Sequence, residues 1–135
     1  MKETKGVKAR ITKALNVGSY VSCVDNTGAK LLQIISVRGY KGSKRRQPRA
    51  GVGDVVNCSV KEGDVKIRKQ VVTAVLIRQR AEYRRKEGIR IKFEDNAAVL
   101  INEDFEPRGT QIKGPVAREV VERFPAVGKI ASIVV

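Results

Sequence analysis

Seven short segments rich in β-branched residues run through most of the sequence, with turn residues between them. The segments are YVSCVD (20–25), KLLQIISVRG (30–39), DVVNCSV (54–60), DVKIRKQ (64–70), VVTAVLIRQR (71–80), IRIKFE (89–94) and AAVLIN (97–102). Stretches such as DNTG (25–28) and EG (87–88) punctuate them as turns do. Strands at this spacing, without long helices between them, predict a mainly β fold built as a small antiparallel barrel.

One segment near the C-terminus instead has a helical pattern. GPVAREVVERFP (114–125) carries Pro115 where a first helical turn tolerates it and Pro125 as a stop signal. Four apolar residues share one face: Val116, Val120, Val121 and Phe124. The opposite face carries Arg118, Glu119, Glu122 and Arg123, with Glu119 and Arg123 at the spacing of an i,i+4 ion pair. We predict a helix over 114–125.

The length of 135 residues suits one domain, 1–135, with a core of its own. Residues 1–17 match no motif and form an N-terminal extension. No apolar run approaches the ~18 residues that a membrane helix needs, and the N-terminus lacks the apolar region of a secretory signal. We therefore expect a cytoplasmic protein without a membrane partner.

The charge balance is strongly basic. Lys and Arg number 28 against 14 Asp and Glu, a net charge of +14, which makes nucleic acid the expected partner. Residues 1–90 hold 22 basic and 7 acidic side chains, whereas residues 91–135 hold 6 and 7. The first two thirds of the chain are thus suited to a polyanion, and the last third is suited to another role.

The densest basic stretch is RGYKGSKRRQPRAGVGD (38–54), which lies between two predicted strands. Its basic residues are Arg38, Lys41, Lys44, Arg45, Arg46 and Arg49, with no acid before Asp54. One interpretation is a solvated hairpin whose charges keep the protein soluble. The other is a phosphate-binding arm, which gains from one-sign charge through counterion release. We favour the arm and treat 38–54 as a basic ribbon or loop.

Two further basic segments follow. IRQRAEYRRKEG (77–88) contains Arg78 and Arg80 at strand spacing, then Arg84, Arg85 and Lys86 around a turn. Tyr83 among them is suited either to stacking on a base or to packing against arginine stems. Arg68 and Lys69 form a smaller patch. Three basic segments that converge on one side of a barrel would fit a folded RNA, read by its shape.

Residues for catalysis are sparse. The chain has no histidine, the commonest general base and metal ligand. The acids Glu94, Asp95, Glu103, Asp104 and Glu106 lie around turns without fixed ligand spacing. AGVGD (50–54) lacks the Lys-Ser/Thr of a phosphate-binding loop. We expect no enzyme, no cofactor, no metal and no small-molecule substrate. Cys23 and Cys58 lie on apolar strand faces and are expected in the core.

Five segments in order resemble the family of the universal large-subunit ribosomal protein L fourteen, archaeal type. They are DNTGAK (25–30), AGVGD (50–54), IRQRAEYRRKEG (77–88), KFEDNAAVLIN (92–102) and KGPVARE (113–119). The resemblance implies a five-stranded β-barrel, a protruding basic β-ribbon and short C-terminal helices. It further implies a structural constituent of the large ribosomal subunit that binds large-subunit rRNA and helps to form a bridge to small-subunit rRNA.

The partners follow from the same resemblance, and the basic segments supply the candidate rRNA contacts. The implied neighbours are the ribosomal proteins L three and L twenty-four-e, and an anti-association factor that docks on the C-terminal part. The candidate rRNA contacts are Lys30, Arg38, Lys41, Lys44, Arg45, Arg46, Arg49, Arg68, Lys69, Arg78, Arg80, Tyr83, Arg84, Arg85 and Lys86. The candidate protein-partner surface is Val116, Arg118, Glu119, Glu122 and Arg123. A free-standing RNA chaperone or translation factor is the competing class, but such proteins usually carry several stacking aromatics.

Overall fold

The computed structural model describes residues 11–38 and 48–135. The strands are β1 (Leu15–Asn16), β2 (Tyr20–Cys23), β3 (Ala29–Val37), β4 (Arg49–Ala50), β5 (Val55–Gly63), β6 (Val71–Arg78), β7 (Tyr83–Arg84), β8 (Arg90–Ile91), β9 (Ala97–Ile101), β10 (Pro115–Val116) and β11 (Ile133–Val134). Two helices, α1 (Arg118–Arg123) and α2 (Pro125–Ile130), lie between the last two strands.

Five of these strands form a closed barrel in the order β2-β3-β5-β6-β9. The predicted five-stranded barrel is therefore confirmed. Four neighbouring pairs are antiparallel, as expected, but β2 and β9 close the barrel as a parallel pair, with Ser22 opposite Ala97. The expectation of a wholly antiparallel barrel was wrong at this seam, because strand alternation in a sequence carries no information on which two strands meet at closure.

The barrel interior is filled by alternate side chains of its strands. Leu32, Val56, Leu76 and Leu100 are among those fully buried there. Cys58 shares this interior, as does Cys23, and both cysteines are free. The predicted core position of the two cysteines is confirmed. Burial of this many branched apolar side chains is the main favourable contribution to folding.

A second core lies outside the barrel. The outward faces of β6 and β9 carry Val75 and Val99, which are buried beneath the C-terminal segment. Phe124, Val120 and Val127 of the two helices pack onto them in one cluster. All five residues of β9 are buried because the strand has a core on each face. The C-terminal third is therefore one unit with the barrel.

Two predicted strands take other forms. Residues 64–70 form turns that connect β5 to β6, and Lys69 adopts a positive φ of 66° that no strand accommodates. Of the alternating segment 89–94, only Arg90 and Ile91 pair, in the short hairpin of β7 and β8. Exposure does not alternate along either segment as the pattern predicts, since Val65 is 81% and Ile89 56% exposed, and neither segment has a neighbouring barrel strand with which to extend a ladder.

The predicted single helix over 114–125 was wrong in its bounds. Pro115 lies in β10, which pairs in parallel with β11, and α1 begins only at Arg118. Pro125 does not end the helical region, since it is the first residue of α2. In the described part of the chain, neither helix has the length and apolar character needed to cross a membrane.

The N-terminal extension and the basic ribbon meet at one place. Leu15 is buried in the barrel core, and β1 pairs antiparallel with β4, so residues 15–16 belong to the fold. The strand-like pairing before the ribbon ends with Arg38, whose backbone N–H donates to Val55 O. The protruding ribbon predicted from 38–54 falls largely on residues 39–47, which lie outside the described residues, as do residues 1–10.

Candidate nucleic-acid interface

The predicted rRNA contacts within the described residues are distributed between the two ends of the barrel. We call the end where β3 and β6 finish the loop end; Arg38, Arg49 and Arg80 lie there. The opposite end, where β3 begins and residues 64–70 turn, is the turn end. Strand β6 has eight residues, so the two ends are about 25 Å apart. The patch of Arg68 and Lys69 therefore does not lie on the same side as Arg38, Arg49 and Arg80.

The turn end carries Lys30, Arg68 and Lys69, all exposed. Lys30 follows the Ala29–Gly63 pair of β3 and β5, and Asp64 N donates to Gly28 O, which holds this turn against the start of β3. The two predicted contacts Arg68 and Lys69 are thus neighbours of Lys30, a grouping that sequence distance did not show.

The loop end, together with the β7–β8 hairpin that follows β6, carries the larger set of exposed cations. Within residues 11–38 and 48–135, the side chains of Arg49, Arg80, Arg84 and Lys86 are exposed and form no ion pair. Their exposure and unpaired charge are the properties that a phosphate-binding surface requires. The predicted contacts Lys41, Lys44, Arg45 and Arg46 lie outside the described residues, although the residues that flank them, Arg38 and Arg49, are both at the loop end.

Arg78 is not part of this exposed set. Its side chain is 7% exposed and is ion-paired with Asp95 through Nε–Oδ1 at 2.9 Å and Nη2–Oδ2 at 3.1 Å. The second terminal nitrogen donates to the carbonyl oxygens of Lys113 and Pro115, both at 2.9 Å. The structure therefore gives Arg78 an internal role instead of the predicted RNA contact, because its guanidinium already satisfies a carboxylate and two backbone carbonyls.

Gln79, between the two arginines, is a structural residue that sequence reasoning missed. It is fully buried. Its Oε1 accepts from Val52 N at 2.9 Å, and its Nε2 donates to the carbonyl oxygens of Thr12 and Ala81 at 3.0 and 2.9 Å. One amide thus fastens the N-terminal segment and the loop after β4 to the end of β6. Its position between two arginines did not indicate this burial, since a single buried amide leaves no periodic pattern in the sequence.

Tyr83 and Arg85 form a second internal network with Glu119 of α1. Tyr83 is 1% exposed and its hydroxyl donates to Glu119 Oε1 at 3.0 Å. Arg85 Nε donates to Glu119 Oε2 at 2.8 Å, and Arg85 Nη2 donates to the backbone oxygen of Val135 at 2.7 Å. Of the two roles considered for Tyr83, stacking on a base does not fit this buried ring, which packs beside Arg85 instead. Arg85 is occupied in the same way as Arg78.

The network shifts the acidities of its members. Burial, and then the Glu119 carboxylate beside it, raises the pKa of Tyr83 to about 12. Burial opposes ionisation of Glu119, but the hydrogen bonds from Arg85 and Tyr83 outweigh it and hold the pKa of Glu119 below its ordinary value. The hydrogen bond to Glu119 raises the pKa of Arg85. Arg85 and Glu119 are therefore both fully charged at neutral pH.

The predicted protein-partner surface is divided by the fold. Val116 is fully buried, and Glu119 is engaged by Arg85. Arg123 lies beside Asp54 at 3.8 Å and donates to Gly53 O at 2.7 Å, which ties α1 to the loop AGVGD. Only Arg118 and Glu122 remain exposed, and they form the i,i+4 pair at 3.8 Å. The expected pairing of Glu119 with Arg123 was wrong because both side chains face inward partners.

Acidic residues form internal contacts as well. Asp54 accepts from Gly51 N at 2.8 Å and lies 3.6 Å from Lys13 Nζ. Asp25 accepts from Leu100 N at 2.9 Å and from Thr27 Oγ1 at 2.6 Å, which fixes the turn before β3. Among the described residues, no three His, Cys, Asp or Glu side chains are grouped as a metal site requires. Asp54 and Asp25 thus have structural roles within the fold.

Together these features describe a basic barrel protein suited to a polyanion. The chain is a small β-barrel with a net charge of +14, exposed cations at both barrel ends, and a nearly neutral C-terminal unit packed on one wall. Such a charge distribution suits a nucleic-acid partner.

Comparison with known proteins is consistent with that class and narrows it. Residues 14–135 match the family model described as ribosomal protein L14p/L23e. The large ribosomal subunit protein uL14 of Methanocorpusculum labreanum is 52% identical over 131 residues, which cover 97% of this chain and 99% of the relative. The proteins of the same name from Methanothrix thermoacetophila and Halorubrum lacusprofundi are each 53% identical with the same coverage. The chain belongs to the ribosomal protein L14p/L23e family.

Proposed function

We propose that this chain is a structural constituent of the large ribosomal subunit that binds large-subunit rRNA through the loop end of its barrel. The observation that carries the proposal is the set of exposed cations at that end that form no ion pair within the described residues: Arg49, Arg80, Arg84 and Lys86. Membership of the L14p/L23e family supports it. The mechanism is architectural, since the barrel holds the positive side chains in register and they neutralise phosphates.

The basic ribbon belongs to the same proposal. Lys41, Lys44, Arg45 and Arg46 follow Arg38 in the chain, and both flanks of their segment lie at the loop end. We propose that these residues extend the same phosphate-binding surface. Lys30, Arg68 and Lys69 are assigned to a separate contact at the turn end, because the length of the barrel separates them from the loop end.

The finer partners are assigned as follows. The protein acts in the cytoplasm, within the ribosome, and takes part in a bridge to small-subunit rRNA. L three and L twenty-four-e are its neighbours, and an anti-association factor docks on the C-terminal unit. The exposed Arg118–Glu122 pair on α1 supports a protein partner there, since mixed charges suit a protein better than they suit RNA. No catalytic role is proposed.

The first test is the position of the tagged chain in a sucrose gradient of cell lysate. Co-migration with the large subunit that persists until high salt is expected. Migration at the top of the gradient, with loose RNA or none, would overturn the proposal in favour of a free RNA-binding factor.

The second test distinguishes RNA binding through the loop end from a general effect of the protein's net charge. Arg80→Glu is expected to weaken binding of the purified chain to an rRNA fragment. The slope of log K against log salt should fall by about one for each phosphate that is no longer neutralised. Lys129→Glu, an exposed lysine on α2, is the matched control and is expected to leave that slope unchanged. Equal effects of both variants would show a non-specific charge effect and contradict the assigned surface.

A further inference from the structure

The outer wall of the barrel is covered on one side and uncovered on the other. The second core covers β6 beyond Thr73 and all of β9. The uncovered part spans β2, β3, β5 and the start of β6. We call it the open wall; its outward residues are Tyr20, Ser22, Leu31, Gln33, Ile35, Ser36, Asn57, Ser59, Val71 and Thr73. All ten are partly or fully exposed in the described structure.

The open wall carries no charge. Residues 20–23, 31–37, 55–60 and 71–77 contain no Lys, Arg, Asp or Glu. Charged residues make up 31% of the chain, so ten solvent-facing positions of average composition would hold about three of them. Charges return only at the wall's border, in Lys30, Lys61 and Glu62. In a chain with this many charged residues, a wall that only faces solvent would be expected to carry some of them.

The wall also exposes three large apolar side chains, two of which stand at the ends of one row of paired residues. Tyr20 lies opposite Gln33, which lies opposite Ser59, which in turn lies opposite Val71. Tyr20 is 54% exposed and Val71 69% exposed, while Ile35 beside the row is 45% exposed. The neutral side chains next to the row hydrogen-bond to each other: Asn57 Nδ2 donates to Ser36 Oγ at 3.0 Å. The polar groups of the surface are therefore partly satisfied within it.

This chemistry discriminates between RNA and protein as the occupant. Phosphate binding needs cations, and stacking platforms need several aromatics, whereas the wall has no cation and one tyrosine. Depletion of Lys, Asp and Glu together with an exposed tyrosine and aliphatic side chains is typical of protein–protein interfaces. We propose that the open wall is a docking surface for a low-charge surface of another protein. This inference rests on the proposed function, because it places the docking within the assembled ribosome.

The inference predicts a specific cross-linking result. A photoreactive benzoylphenylalanine is placed at position 35 on the wall and, in a second chain, at position 65. Val65 is 81% exposed in the 64–70 turn and lies off the wall, so it is the matched control. Large subunits that contain each chain are purified, irradiated and digested with RNase. Position 35 is expected to give one RNase-resistant, protease-sensitive adduct with a single protein, cross-linked at a peptide poor in charged residues. Position 65 lies at the turn end, which is assigned to rRNA, and is expected to give no protein adduct.

A charge placed on the wall provides the second readout. Val71→Lys in the position-35 chain is expected to lower the adduct yield about tenfold, and Val65→Lys to leave it unchanged. An adduct with rRNA, an adduct with a second copy of this chain, no adduct at position 35, or equal effects of the two lysines would overturn the inference.

The same design separates this inference from the proposed function. If the chain is absent from the large-subunit fraction, the proposed function fails before irradiation. The fraction that does contain the chain is then irradiated, and a protein or an RNA adduct at position 35 still decides the occupant of the wall.

Discussion

Arg85 Nε lies 2.8 Å from Glu119 Oε2, and the two side chains are only 9% and 10% exposed. The pair joins the basic turn after β6 to the first helix of the C-terminal unit, 34 residues later. The same arginine donates to the backbone oxygen of Val135, the residue after β11. Arg118 N donates to the same oxygen, so both contacts hold β11 against the start of α1. One ion pair thus connects the segment that carries the exposed cations Arg80, Arg84 and Lys86 to the part of the chain assigned to a protein partner.

Glu119→Gln is expected to lower stability at neutral pH by about 1–3 kcal/mol, because it leaves Arg85 without its charge partner. The pKa of Glu119 is lower in the folded state than in the unfolded state, so its contribution is present above the unfolded value and is lost as pH falls through the folded value. Urea unfolding of both proteins at pH 7 and near pH 3 measures this. The difference in free energy of unfolding should shrink at the lower pH. A difference of equal size at both would show that the carboxylate charge does not matter.

Tyr83 is expected to titrate far above an ordinary tyrosine. Its pKa is raised from 10.0 to about 12 by burial first and by Glu119 second. The neutral hydroxyl therefore stabilises the fold below pH 10, and that contribution is lost as pH rises toward 12. The absorbance change at the phenolate band, compared between the native protein and Tyr83→Phe, isolates this one hydroxyl. A difference curve with its midpoint near 10 would contradict the buried hydrogen bond to Glu119.

Arg78 and Arg80 are expected to respond in opposite ways to truncation. Arg78→Ala removes four internal hydrogen bonds and should cost about 2–3 kcal/mol of unfolding free energy, the lower part of the range for a buried charge because Asp95 is 45% exposed. Arg80→Ala should leave stability within about 0.5 kcal/mol and weaken rRNA-fragment binding. Chemical denaturation and binding, measured on both variants, check the pair of outcomes. Unchanged stability in Arg78→Ala would mean that its guanidinium is not held as described.

Gly114→Ala is expected to destabilise the protein more than Gly88→Ala. Both glycines have positive φ, 81° and 90°, so alanine costs about 1–2 kcal/mol of backbone strain at either. A Cβ at 114 would also lie 2.5 Å from Arg78 Nη1, whereas nothing lies within 4 Å of a Cβ at 88. Thermal or urea unfolding of both variants separates crowding of Arg78 from the backbone cost. Equal destabilisation would show that Arg78 moves aside freely.

The two cysteines are expected to be inert in the folded protein. Burial raises the pKa of Cys58 to about 12, and burial together with Asp25 raises the pKa of Cys23 to about 12. At pH 8 the reactive thiolate is then on the order of a thousandfold scarcer than in an exposed thiol, and the reagent has no access. A chromogenic disulfide reagent should label both thiols in denaturant and neither in buffer within the same time. Rapid labelling of one thiol in buffer would indicate local opening of the barrel.

The succession of strands, the barrel and the basic character could be predicted because each depends on composition and local pattern. Branched residues at period two and turn residues between them are sufficient for a closed sheet of this size. Residues 64–70 and 89–94 show the limit of that pattern. Both segments alternate or contain branched residues. A strand also needs a neighbouring strand to pair with, and neither segment pairs with a strand of the barrel.

The roles of individual charges depend on contacts between distant parts of the chain. In the sequence RQR (78–80) all three side chains are polar, and by pattern the two arginines were equivalent. In the fold, Arg78 meets Asp95, 17 residues later, Gln79 holds the N-terminal segment 67 residues earlier, and Arg80 alone of the three faces solvent. Composition and alternation fix how much positive charge the protein carries and which strands present it. Which cations remain available for a partner depends on carboxylates and carbonyls brought close by chain closure, and no local pattern encodes that proximity.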